Sequence, residues 1–153
     1  MQVFPVGDER LLLHVGGRDV ECSTFGLPAD QVKGIAVICH PHPLFGGAMD
    51  NKVVHTLWRA FKSVGINALR FNFRGVGGSD GEHDNGVGET EDLAGIIAWL
   101  AAQFPGKPIY LAGFPLGLLL PQRMPPKVLA RLWRICFCWH RQCIILIWAR
   151  FRV

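Results

Sequence analysis

Ile109-Tyr-Leu-Ala-Gly-Phe-Pro-Leu-Gly-Leu-Leu-Leu120 reads as a buried strand that runs into a tight turn, with Gly113 and Gly117 flanking Pro115. The character of the chain changes at this turn. From Met1 to Phe114 there are nine Lys and Arg against twelve Asp and Glu, a balance of −3. From Pro115 to Val153 there are seven Lys and Arg and no acid, a balance of +7. The net charge of +4 therefore averages two unlike parts. The second part also holds Trp133, Trp139 and Trp148 of the five tryptophans, and Cys136, Cys138 and Cys143 of the five cysteines. A basic balance by itself invites a nucleic-acid or membrane partner. A surplus that begins abruptly at one residue asks for a different cause.

Upstream of the turn the pattern is that of an α/β domain. Arg10 to Val15 and Val20 to Phe25 are short apolar runs joined by Gly16-Gly17-Arg18-Asp19, a hairpin signal. Lys33 to Cys39 is a continuous apolar run, as expected of a strand buried on both faces. Asp50 is expected to cap a helix that runs to about Val64 and stops at Gly65. Val53, Val54, Leu57, Trp58, Phe61 and Val64 give that helix one apolar face. Ile66 to Phe71 is the next strand. Glu89, Glu91 and Asp92 open a second helix, where carboxylates suit the positive end of the dipole, and Pro105-Gly106 ends it. Pro108 to Ala112 is a further strand. The order is a β-hairpin followed by β-α-β-α-β, and right-handed crossovers lay the last three strands parallel.

At 153 residues the chain is one domain by size, with enough length to bury a core. Half of its residues are hydrophobic, which excludes a disordered polymer. No apolar run reaches the roughly 18 residues of a spanning helix, and the N-terminal residues do not read as a secretory signal. An odd number of cysteines without framework spacing predicts reduced thiols and a cytoplasmic location.

Two loops invite functional readings. His40-Pro-His-Pro-Leu-Phe-Gly-Gly47 carries paired histidines, but a metal site needs three or four ligands and no Asp, Glu or Cys is suitably spaced beside them. Prolines that stiffen the loop and glycines that let its N–H groups approach a ligand fit better. Arg74 to Gly81 is glycine-rich but lacks the Gly-Lys-Ser/Thr ending of a P-loop, and Asp80 breaks a dinucleotide fingerprint. In the tail, Cys136, Cys138, His140 and Cys143 do not have a common zinc spacing. Pro121, Pro125 and Pro126, with no clean helical stripe after them, argue against a membrane anchor. Neither a metal, a cofactor, a nucleic acid nor a membrane is therefore expected as a partner.

Taken together, His40 to Lys52 (HPHPLFGGAMDNK), Arg70 to Gly81 (RFNFRGVGGSDG) and Gly86 to Leu93 (GVGETEDL) resemble a branch of small bacterial serine hydrolases in the α/β-hydrolase superfamily. The resemblance covers Arg10 to Phe114 in order. It implies the N-terminal part of an α/β-hydrolase sheet, and hydrolysis of a small ester, thioester or amide without a cofactor. It also implies that the turn after the fifth strand is the nucleophile elbow, G-x-S-x-G, which here reads Gly113-Phe-Pro-Leu-Gly117. The backbone N–H groups of Leu44, Phe45 and Leu116 would then form the oxyanion hole.

Pro115 stands where that family has its serine. Proline has no nucleophilic atom and fixes φ near −65°, whereas the resemblance implies a positive φ at the elbow. The later triad members are missing too, because no acid follows Asp92 and the only later histidine is His140. Loss of one nucleotide from a serine codon at position 115 accounts for all of this. Read back one frame, Phe114 to Pro121 can encode F-S-F-G-A-S-F-A. The stricter test is Cys136 to Cys143, where the genetic code leaves little freedom. Positions 138, 139 and 140 must return Leu, Leu and Ala, and the whole string becomes L-[FL]-L-L-A-[PS]-x-V, a buried strand. Residues 1–114 are thus expected to be the N-terminal portion of one hydrolase domain, and 115–153 an aberrant, out-of-frame tail. The expected chain is truncated and inactive, and its fifth strand has an open apolar edge that makes the product insoluble or molten. The alternative is a non-catalytic hydrolase-like scaffold with a basic tail for binding.

Overall fold

A computed structural model of the chain describes residues 2–113, 124–130, 132–139 and 143–147. Strands β1 (Gly7–Val15) and β2 (Arg18–Gly26) form the hairpin, turning at Gly16 and Gly17, both of which have positive φ. Both strands run longer than their apolar residues, because one unbroken antiparallel register pairs Gly7 with Gly26 and Val15 with Arg18. β3 (Ile35–Cys39) and β4 (Asn67–Phe71) are buried at every residue, as central parallel strands must be. β5 (Ile109–Gly113) follows helix α2 (Val87–Gln103), and α1 (Lys52–Ser63) joins β3 to β4. β3 lies between β4 and β5, parallel to both, and β2 pairs antiparallel with β4. This is the α/β arrangement that the sequence pattern predicts.

Each face of the sheet has its own core. Leu13, Phe71, Phe73, Leu93, Ile96, Ile97 and Leu100 belong to the cluster that includes α2. Ile38, Val54, Leu57, Trp58, Ala68 and Ala112 form a smaller cluster with α1. Each large side chain fully buried in this way contributes about 1.5–3 kcal/mol. Helix α1 departs from its expected limits at both ends. Asn51, not Asp50, is the N-cap, its Oδ1 accepting the Val53 N–H at 2.9 Å. Asp50 instead pairs with Arg10 and Arg70. Val64 lies beyond the helix and is exposed rather than part of its apolar face.

The residues before β1 are strapped to the end of α2. The Gln2 carbonyl accepts from Trp99 Nε1 at 2.9 Å and from Gln103 Nε2 at 3.2 Å. The Phe4 ring packs against Trp99 and Phe104. Among the described residues no helix is long and apolar enough to cross a membrane.

The largest departure from expectation is at β5. A short helix α3 (Pro126–Leu129) precedes β6 (Leu132–Trp139), which pairs parallel with β5, from Ile109–Leu132 to Gly113–Phe137. β7 (Cys143–Ile147) continues antiparallel on β6, so the sheet order is β1-β2-β4-β3-β5-β6-β7. The edge of β5 is covered rather than open, which removes the reason for expecting a molten product. Ladder hydrogen bonds join backbone to backbone, so an apolar segment of strand-forming residues can supply them whatever its exact side chains.

Candidate active site

The loops after β3 and β4 that the resemblance singles out meet at the C-terminal ends of those strands, next to the end of β5. Gly113 closes β5 there with φ +131°, and a Cβ at that position would collide with the Cys39 carbonyl of β3. The two strands therefore end in backbone contact that only glycine allows.

His40, immediately after β3, has no exposed surface. Its Nδ1 lies 2.6 Å from the Pro41 carbonyl, and its Nε2 lies 3.0 Å from the Phe73 N–H beyond β4. A carbonyl only accepts and an N–H only donates, so the ring is neutral with its proton on Nδ1. Burial holds its pKa down, at about 4, against the opposing hydrogen bond to Pro41. The ring also packs edge-on against Phe73. His40 is a lock between two loops.

Asn72 is a second lock. Its Oδ1 accepts the Met49 N–H at 2.8 Å, and its Nδ2 donates to Glu21 Oε2 at 2.7 Å. Glu21 Oε2 also accepts the Gly78 N–H, while Ser79 Oγ bridges the Asn72 carbonyl and the Glu21 N–H. The glycine-rich loop is thereby fastened to the hairpin, a structural use of residues that could be mistaken for a phosphate cradle. Its other end is held by Arg74, whose Nε and Nη2 each reach an Asp92 carboxylate oxygen at 2.8 Å, both residues being buried. Arg74 Nη2 also donates to the Gly88 carbonyl at 2.6 Å.

The carboxylates that open α2 divide their work. Glu89 has no exposed surface and accepts the Asp84 N–H at 2.9 Å and the Gly86 N–H at 2.8 Å. Burial raises its pKa, but those N–H donors and the nearby His83 outweigh burial and hold it below the usual carboxylate range. Glu91 is exposed, and Asp92 serves Arg74. The Cys22 and Cys39 thiols are buried, which pushes both well above their ordinary range and leaves them unreactive.

The tip of the first loop is different. Pro43–Phe45 is one 3₁₀ turn, in which the Leu44 N–H donates to His42 Nδ1 at 3.2 Å and the Phe45 N–H to the His42 carbonyl at 3.0 Å. Leu44 and Phe45 are 70% and 87% exposed. Of the three backbone donors that the resemblance implies, two thus have partners within their own loop, and Leu116 lies outside the described residues, as does Pro115. His140 and the side chains of Cys136, Cys138 and Cys143 are likewise outside them. Among the described residues no group of three His, Cys, Asp or Glu is arranged to hold a metal. A depression of about 450 Å³ lined by Ala98, Phe104, Lys107 and Ile109 opens at the other end of β5, away from these loops.

A parallel β4-β3-β5 centre, an antiparallel hairpin on one side and interlocked loops at the C-terminal ends of β3 and β4 match the N-terminal part of an α/β-hydrolase sheet. Comparison with solved structures agrees. The chain is 40% identical to an α/β serine hydrolase homologue from Coxiella burnetii (TM-score 0.69), over 76% of this chain and 56% of that one. It is 37% identical to a lidless α/β serine hydrolase from Xanthomonas campestris (TM-score 0.71), over 80% of this chain and 57% of that one. Among curated proteins it is 43% identical to an uncharacterized protein of Rickettsia prowazekii, over 59% of this chain and 38% of the relative. No family model matches. The chain therefore carries a segment of the α/β-hydrolase superfamily and spans little more than half the length of the serine hydrolase structures it matches.

Proposed function

We propose that the chain derives from a serine hydrolase acting on a small ester, thioester or amide, that its reading frame departs at Pro115, and that it does not itself catalyse this reaction. The observation that carries the proposal is the proline at the elbow, coincident with the end of the acidic residues and the start of a basic tail. Identities of 37–40% to α/β serine hydrolases support the parentage. In the parent, a serine at position 115 would attack the carbonyl carbon, a histidine would accept its proton, and an acid would orient that histidine. The N–H groups of Leu44, Phe45 and Leu116 would stabilise the charge that develops on the carbonyl oxygen. The protein needs no cofactor for such chemistry. A proline supplies neither the oxygen nor the backbone angle.

Ester hydrolysis by the purified chain, measured beside a version with the serine frame restored, tests this reading. Activity confined to the restored version is expected, and sequencing of the gene is expected to show a hydrolase-like frame continuing downstream. Equal activity of both proteins would overturn it. A second reading, a non-catalytic scaffold with a basic tail, is favoured by the pairing of β6 with β5, since a covered sheet can persist as a folded product. A specific soluble complex of the present chain, captured through the tail, would favour that reading over the first.

A further inference from the structure

The turn that opens α2 is built on the dipeptide Asn85-Gly86. Asn85 is exposed and has φ +50°, and Gly86, the buried N-cap, has φ +89°. Two successive left-handed residues call for this pair, because asparagine is among the few side chains that visit the region and glycine meets no penalty there. Asn51, Asn67 and Asn72 are followed by Lys, Ala and Phe, so no other asparagine of the chain precedes a glycine.

The same pair carries a chemical liability, since a glycine leaves the nitrogen that follows the asparagine unshielded by a side chain. That nitrogen can lose its proton to water and attack the asparagine Cγ. An N–Cγ bond forms, the Cγ–Nδ2 bond breaks, and Nδ2 takes up a proton and leaves as ammonia. The product is a cyclic imide joining the two residues. Water opens the ring at either carbonyl, giving aspartate or isoaspartate, with no change of oxidation state.

The fold obstructs the first step. The Gly86 N–H donates to Glu89 Oε2 at 2.8 Å, while the Gly86 carbonyl accepts from the Thr90 N–H and hydroxyl. Glu89 has no exposed surface, and its other oxygen accepts the Asp84 N–H at 2.9 Å. Its pKa lies below the usual carboxylate range, so it is ionised at neutral pH. A negative charge beside the Gly86 nitrogen opposes loss of that nitrogen's proton, and attack on Cγ requires giving up a charge-assisted hydrogen bond.

We propose that Asn85 is a modification site, converted to aspartate or isoaspartate through attack by the Gly86 nitrogen, and that the bond from Gly86 to Glu89 restrains this conversion while the chain is folded. In isoaspartate the backbone runs through the former side chain and is longer by a methylene. The bonds from the Val87 N–H to the Asp84 carbonyl, at 3.0 Å, and from the Gly88 N–H to Asp84 Oδ2, at 3.1 Å, both span the altered link. Modification therefore unfastens the start of α2, and it falls on chains that linger unfolded.

The test is peptide mapping by mass spectrometry of the full chain, held at neutral pH either folded or unfolded in guanidinium chloride, and of folded Glu89→Ala. Asn85 is expected to lose its amide about ten to a hundred times faster in the unfolded chain and in the variant than in the folded parent, the range set by a hydrogen bond to a charged group. Asn51, Asn67 and Asn72 are internal references and should stay intact over the same interval. Circular dichroism like the parent's shows that the variant is folded. If it is not, Glu89→Gln, which keeps an acceptor without the charge, takes its place and should still exceed the parent. Equal rates at Asn85 in the folded and unfolded parent would overturn the restraint, as would a folded variant no faster than the parent. An Asn85 no faster than the reference asparagines in the unfolded chain would overturn the site itself.

Discussion

At the base of the loop cluster, His40 is fully buried and commits both ring nitrogens to backbone groups on two loops. Two residues on, at the lip, His42 accepts from Leu44, Phe45 and Gly47 of its own loop, beside a phenylalanine that is 87% exposed. The base is held by long-range polar bonds in a dry environment, where an unpaired group is costly. The lip is held by bonds between residues two to five apart, which solvent can replace. The difference separates the residues that build the scaffold from those left open to solvent, and each of the following measurements probes one side of it.

The largest effect is expected at Arg74. Arg74→Ala removes both 2.8 Å hydrogen bonds of the buried Asp92 carboxylate, leaving it the half-exposed Arg18 at 3.9 Å, and should cost about 3 kcal/mol of stability. Arg10→Ala, which breaks an exposed pair with Asp50, should cost no more than about 1 kcal/mol. Denaturant titration of the two variants checks the ratio, and similar losses in both would collapse the distinction between buried and exposed pairs.

The next effect is a pH dependence from His40. Its folded pKa, about 4, lies below the ordinary value of 6.5. Between those values the unfolded chain binds a proton that the folded chain refuses. The contribution is therefore whole above about pH 6.5 and drains away as pH falls towards 4, by about 3 kcal/mol in all. Unfolding free energy measured across this window should fall less steeply in His40→Phe than in the unaltered chain. Parallel curves would remove His40 from the base.

At the lip, Phe45→Ala should change stability by less than about 0.5 kcal/mol, as usual for an exposed site away from the core. A thermal melt suffices to check it, and a loss of several degrees would mean that the tip is part of the scaffold after all.

The strands and helices were legible because periodicity is local. The unbroken apolar run before His40 could only be a strand buried on both faces, and Gly16-Gly17 could hardly be anything but a turn. The locks were not legible. Arg74 and Asp92 are 18 positions apart and His40 and Phe73 are 33 apart, so nothing in their neighbourhoods announces the pairing. Asp92 read as a helix-opening carboxylate because its place in the first turns of α2 was visible and its partner was not. Asp50 lost the cap to Asn51 for a similar reason, since two arginines from β1 and β4 compete for it. At the site itself, the resemblance directed attention to Leu44 and Phe45, but only coordinates reveal that both amides already have acceptors. The covered edge of β5 was misjudged because strand pairing depends on backbone as much as on side-chain identity.

The strap between Gln2–Phe4 and the end of α2 has a consequence for how the chain is assembled during translation. Its contacts join residues about a hundred positions apart, so Phe4 and the Gln2 carbonyl have nowhere to dock until Gln103 and Phe104 have left the ribosome. The hairpin can close as soon as it emerges, but the aromatic seat beneath it stays empty through most of synthesis. A pause that lengthens this interval leaves Phe4 open to chaperones and proteases until Trp99 and Phe104 arrive to cover it.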